Sequence, residues 1–232
     1  MSSDDFADRV AGVAALAEPV RRDLYLYVVA QPDPVGRDQA AAGVGVARHT
    51  AKFHLDRLVE QGLLVTEFRR LSGRRGPGAG RPAKLYQRAA SEVAVSLPDR
   101  RYELVGQLMA QAIEDSARSG TAVLDALHHA AAAFGATLGD QARAEADDLH
   151  GPDGPRDAAC QVLAAHGYEP HLHGDTIMMR NCPFRAVAHE HTDLMCGMNL
   201  TLVQAITDRL GGNLTPRLDP GDGRCCVSVA AG

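Results

Sequence analysis

At 232 residues the chain has room for one large domain or two ordinary ones, and enough length to bury a proper core without staples. Apolar residues make up 45% and charged residues 23%, a globular balance that excludes wholesale disorder. No stretch has the continuous apolar length of a membrane span, and the opening MSSDDFADRV is polar and acidic. A transmembrane segment, signal peptide or transit peptide is therefore not expected, and a cytoplasmic location is.

The net charge of −5 conceals two opposite parts: residues 1–90 carry 14 Lys and Arg against 10 Asp and Glu, residues 91–232 carry 10 against 19. All five cysteines (Cys160, Cys182, Cys196, Cys225, Cys226) lie in the last 73 residues. A basic first module with a polyanionic partner and a separate cysteine-bearing module follow from that split.

Asp5 to Leu16 has apolar residues at helical spacing (Phe6, Val10, Val13, Leu16). Glu18-Pro19 opens a second helix, where the missing proline N–H costs little, and Gln31-Pro32-Asp33-Pro34 closes it. Arg37 to Ala42 predicts a short helix stopped by Gly43, followed by a tight turn through Gly45. Val46 to Gln61 predicts a longer helix ending at Gly62. Leu63 to Leu71 and Ala83 to Arg88 alternate as two strands around a glycine-rich loop. Short helix, turn, longer helix and basic hairpin is the order of a winged helix-turn-helix.

Ala51, Leu55, Leu58 and Val59 form the apolar face of the longer helix, leaving Arg48, His49, Thr50, Lys52 and Phe53 at the end that a recognition helix offers to base edges. From Arg69 to Arg88 there are seven Lys and Arg and no acid. Arg69, Arg74, Arg75, Arg81 and Lys84 are accordingly expected to meet phosphates or the minor groove. The DNA-binding domain is assigned to residues 1–90, its partner double-stranded operator DNA.

Residues 91–150 read as two long amphipathic helices, about Pro98 to Arg118 and Ala122 to Leu149. They are expected to form a helical dimerisation segment, since two-fold operators call for a homodimer. His150 to Pro155 is a linker. Residues 151–232 alternate helix and strand: helix 156–165, strands 169–172 and 176–180, helix 194–210, strands 214–218 and 226–230. The fold class is mainly α with α+β: a winged helix, a helical segment and an α+β cysteine-containing sensor domain.

Cys182, Cys196, Cys225 and Cys226 fall at element ends or turns, where thiolates can converge without breaking a ladder. The spacing is not the paired C-x-x-C of a zinc ribbon. Soft thiolates so spaced suit an iron–sulfur cluster; reduced buried cysteines without a cofactor are the plainer alternative. Cys160 shares a helix stripe with Leu163 and Ala164 and reads as a small core residue.

The run Ala47-Arg48-His49-Thr50-Ala51-Lys52-Phe53-His54-Leu55-Asp56-Arg57-Leu58, with Glu60-Gln61-Gly62-Leu63-Leu64 after it, resembles the recognition helix of ArsR-like winged-helix regulators. The wing sequence of residues 76–86, Gly-Pro-Gly-Ala-Gly-Arg-Pro-Ala-Lys-Leu-Tyr, is similar to that of SufR-type iron–sulfur-sensing repressors. The resemblance implies a cluster on Cys182 (in Asn-Cys-Pro), Cys196 and Cys225, of the four-iron type, with 2Fe–2S or zinc as alternatives, whose state controls DNA affinity. Met178 stands where family members often carry a further cysteine, which leaves Cys226, Cys160, His189 and His191 as candidates for the fourth ligand. A winged-helix regulator sensing zinc or a small molecule is the competing reading. A thiol- or metal-dependent hydrolase comes third: no H-E-x-x-H, phosphate loop or triad pattern is found, and no catalysis is expected.

Overall fold

A computed structural model describes residues 3–70, 82–146, 149, 151 and 153–231. The chain separates into two compact units, Met1–Val95 and Ser96–Gly232.

The first unit runs α1 (Ser3–Ala15), α2 (Pro19–Val29), β1 (Val35–Gly36), α3 (Arg37–Val44), α4 (Arg48–Glu60), β2 (Leu64–Arg69) and β3 (Ala83–Arg88). Glu18 caps α2, its carboxylate accepting from the N–H groups of Val20 (3.2 Å) and Arg21 (2.6 Å). α3 runs past Gly43, the expected stop, to Val44, and it is Gly45 that takes the left-handed conformation (φ 73°). Gly43 serves a different purpose: a Cβ there would stand 2.1 Å from the Tyr27 ring, so the glycine lets α2 and α3 close together. Leu24, Val28, Leu55, Leu58, Leu64 and Tyr86 are fully buried between the helices and the hairpin. β2 and β3 pair antiparallel from Leu64↔Arg88 to Arg69↔Ala83. The two-residue β1, absent from the sequence expectation, pairs with β3 through Val35↔Tyr86. The sheet order is β1-β3-β2, and the whole is a winged helix-turn-helix.

The second unit comprises α5 (Tyr102–Ser119), α6 (Val123–Glu145), α7 (Gly154–Ala165), β4 (Pro170–His173), β5 (Thr176–Met179), α8 (Arg185–Glu190), α9 (Thr192–Leu210), β6 (Leu214–Leu218) and β7 (Val227–Ala231). Two helix–hairpin repeats, α7-β4-β5 and α9-β6-β7, join in one antiparallel sheet of order β4-β5-β7-β6. Residues 91–150, expected as a helical segment of their own, contribute α5 and α6 to the same core as α7, α9 and the sheet. α6 lies against α9 at backbone distance: a Cβ on Gly135 would meet the Leu202 carbonyl at 2.3 Å, and one on Gly139 the Ile206 carbonyl at 2.7 Å.

The second unit also departs from the sequence expectation in places that bear on the site. α5 starts at Tyr102 rather than near Pro98, because residues 99–101 are held elsewhere, as set out below. α8 occupies a stretch read as connection; one and a half turns are too short to give a periodic signal. β7 starts at Val227, so Cys226 belongs to the preceding turn rather than to a strand. Among the described residues no helix is long and apolar enough to cross a membrane.

Candidate functional site

Two sets of side chains carry chemistry, one in each unit. In the first, α4 buries Ala51, Leu55 and Leu58 and leaves His49, Lys52 and Phe53 exposed, Phe53 at 59%. With Asp56, Arg57 and Glu60 they line an open groove along the helix. Thr50 is half-buried at the N-terminal end, which no side chain caps. Exposed Lys and His offer donors to base edges and phosphates, and an exposed Phe offers an apolar surface to a thymine methyl.

Three cations of this unit, Arg48, Arg69 and Lys84, are engaged with acids. The Arg48 guanidinium grips the Asp38 carboxylate through two bonds (2.7 and 2.5 Å), and Arg69 pairs with Glu67 at 3.2 Å. Lys84 Nζ donates to Asp56 at 2.6 Å, and the buried Tyr86 hydroxyl donates to the same carboxylate oxygen at 2.9 Å. Burial would raise the Asp56 pKa, but the bonds from Lys84 and Tyr86 outweigh it and hold it below 3.8. Asp56 thereby fastens the recognition helix to the wing strand β3. Arg74, Arg75 and Arg81 lie outside the described residues.

In the second unit, all five cysteines are free thiols. β5 leads into Cys182, the inner face of α9 carries Cys196, and the turn before β7 carries Cys225 and Cys226, so the two central strands of the sheet bring three segments together. Cys225 lies close enough to Cys182 for each to shift the other's proton affinity, and Cys226 close enough to Cys196 to shift that of Cys196. Electrostatic influence of Cys182 on Cys196, and of Cys226 on Cys225, links the pairs into one group. Cys182, Cys196 and Cys225 are buried, and Cys226 is half-buried.

Their proton affinities diverge. Cys182 is lowered to about 7 by the thiol hydrogen bond from Cys225, against burial, with help from the Phe184 N–H and from Arg100 and Arg185. Cys196 is pushed up to about 12 by burial and by its bond to Cys226. Cys225 is pushed up much further, by its bond to Cys182 and then by burial. Cys182 is thus the thiol of the group that gives up its proton most readily.

Polar donors reach two of the sulfurs. Asn199, one turn after Cys196 and 2% exposed, donates from Nδ2 to Cys225 Sγ at 3.4 Å. The buried Tyr168 hydroxyl donates to Asn199 Oδ1 at 2.5 Å and fixes that amide. The Val227 N–H reaches Cys225. Neither Asn199 nor Tyr168 figured in the sequence expectation; the available signal was a lone asparagine on the apolar stripe of α9.

Of the fourth-ligand candidates, Cys226 is the one joined to the other thiols. His189 and His191 are exposed, and Cys160, half-buried on α7, has its thiol raised by burial and then by Asp157. Among the described residues no group of three or more His, Cys, Asp or Glu side chains is placed to hold a metal ion. The donor set is all sulfur, and soft.

A winged helix-turn-helix with an exposed polar recognition face defines a DNA-binding transcription regulator. Residues 16–67, spanning α2 to most of β2, match the family model of a helix-turn-helix domain. Comparison with curated proteins and with solved structures returned no match.

Proposed function

We propose that the chain is a homodimeric transcription regulator, a repressor, whose second unit holds an iron–sulfur cluster on Cys182, Cys196, Cys225 and Cys226, and whose operator affinity follows the state of that cluster. The observation that carries this reading is the gathering of four thiols from three segments, two of them reached by N–H donors from Asn199, Phe184 and Val227. Cluster thiolates need both: sulfur ligands spaced around several irons, and hydrogen bonds that ease the negative charge. The similarity to SufR-type repressors points the same way. When bound, the cluster supplies a redox- and iron-sensitive crosslink. The chain supplies four sulfurs, the Asn199 and backbone donors, and the positive charge of Arg100 and Arg185.

Anaerobic reconstitution with iron and sulfide, followed by absorbance and by iron and sulfide assays, tests the proposal. The wild-type chain is expected to turn brown and to take up both elements. Cys182→Ser, Cys196→Ser and Cys226→Ser are expected to lose stable cluster, and Cys160→Ser to keep it. A colourless protein that takes up zinc alone points to a zinc sensor, and full cluster assembly in Cys226→Ser removes Cys226 from the ligand set.

A further inference from the structure

Val95 ends the first unit and Ser96 begins the second, so residues 96–101 are the covalent entry from one into the other. Helix α5 does not begin until Tyr102. The three residues before it are instead tied to the segment carrying Cys182. Arg100 Nη1 donates to the Asn181 side-chain oxygen and to the Cys182 carbonyl, the latter at 3.1 Å. Asn181 Nδ2 returns a bond to the Asp99 carbonyl at 2.9 Å and donates to the Gly167 carbonyl at 2.5 Å. The Arg101 N–H donates to the Pro183 carbonyl at 3.0 Å. Arg101 Nη2 reaches the Ala165 carbonyl at 2.9 Å and pairs with Asp99 at 3.1 Å. Asn181 is 4% exposed, so its amide depends on these partners.

Residues 181–183 belong to no helix or strand. Their conformation is set on one side by what the Cys182 sulfur holds and on the other by Arg100, Asp99 and Arg101. Two constraints on one short segment reinforce each other: fixing either lowers the ordering cost of the other. The packing leaves little slack, since a Cβ on Gly167 would meet the Asp99 side chain at 3.1 Å.

We infer that Arg100 is a positioning residue that couples the thiol group to the chain joining the two units. This rests on the cluster reading above. With the cluster held, the Cys182 segment and residues 99–101 fix one another and the tether to the DNA-binding unit is short. With the cluster lost, residues 99–101 are released and the tether lengthens. In a dimer a longer, looser tether lowers the effective concentration of the second DNA-binding unit at its half-site.

The test uses full-length wild type, Arg100→Gln and Arg100→Lys, each reconstituted anaerobically, with a duplex selected from a random pool by the cluster-loaded wild type. Loaded wild type is expected to bind about 5- to 150-fold more tightly than the apo form, and Arg100→Gln, with full iron and sulfide, less than about twofold more tightly. Arg100→Lys keeps the charge near Cys182 but loses the fork, and is expected to fall between the two. Hydrogen exchange on the wild type alone supplies a second readout, with the Arg101 amide expected to exchange at least about tenfold faster in the apo form. A fully loaded Arg100→Gln with the wild-type affinity ratio, or equal Arg101 exchange in both forms, overturns the coupling. If Arg100→Gln fails to load, the exchange comparison decides. A wild type that takes up no iron or sulfide instead overturns the cluster reading, and the coupling with it.

Discussion

Asp38 and Asp56 show how a single carboxylate can govern a nucleic-acid face. Asp38 is exposed and occupies both forks of Arg48, so DNA has to compete with it for the guanidinium. Asp38→Asn is expected to tighten binding to random duplex DNA and to steepen the salt dependence by up to about one phosphate contact, as read from a titration at several salt concentrations. Asp56 is half-buried and structural. Asp56→Ala leaves the buried Tyr86 hydroxyl without its acceptor and is expected to cost about 1–3 kcal/mol, visible in thermal unfolding. The sign of the pH effect follows from the depressed pKa: the stabilisation is complete above the unfolded value of 3.8 and is lost as pH falls through the lower native value. The stability gap between wild type and Asp56→Ala should therefore narrow in strong acid and reach its full size above about pH 4.

Glycine sets the spacing between elements in the second unit. α6 approaches α9 so closely that Gly135→Ala would drive a Cβ to 2.3 Å from a backbone carbonyl, which cannot rotate away. That clash should outweigh the better helix propensity of alanine, for a net loss of about 1–3 kcal/mol. Gly106 on α5 is the control: nothing lies within 4 Å of its Cβ position, so Gly106→Ala is expected to stabilise by roughly 0.5–1 kcal/mol in chemical denaturation. The elements that were legible in sequence are those with local punctuation, such as Glu18-Pro19 before α2 and Gly62 after α4. Those that were not depend on distant partners. β1 exists only because Val35 and Gly36 meet Tyr86 and Leu85, and the start of α5 is displaced by bonds to residues some 80 positions away. The thiol group divides the same way: its cysteines could be picked from their placement, but Asn199, Tyr168 and Arg100 acquire meaning only once α9, β5 and the entry to α5 are brought together.

At the scale of the molecule, the sequence suggested three parts and the structure has two. The apolar stripes of α5 and α6 do not reveal whether they are covered by a second chain or by α9 of their own; in the structure α9 packs closely on α6 at Gly135 and Gly139. Each unit has a core of its own. An isolated 1–95 fragment is therefore expected to fold with one cooperative transition and to bind DNA without response to iron; a fragment that stays unfolded would show that the first unit depends on the second. The pairing of Arg48, Arg69 and Lys84 with their own acids bears finally on how fast a regulator finds its target. Cations already neutralised within the protein release fewer counterions on random duplex, so dwell times there shorten. Less of the protein is then held on the genome between encounters, and the exchange of an internal acid for a phosphate is concentrated where the recognition helix fits.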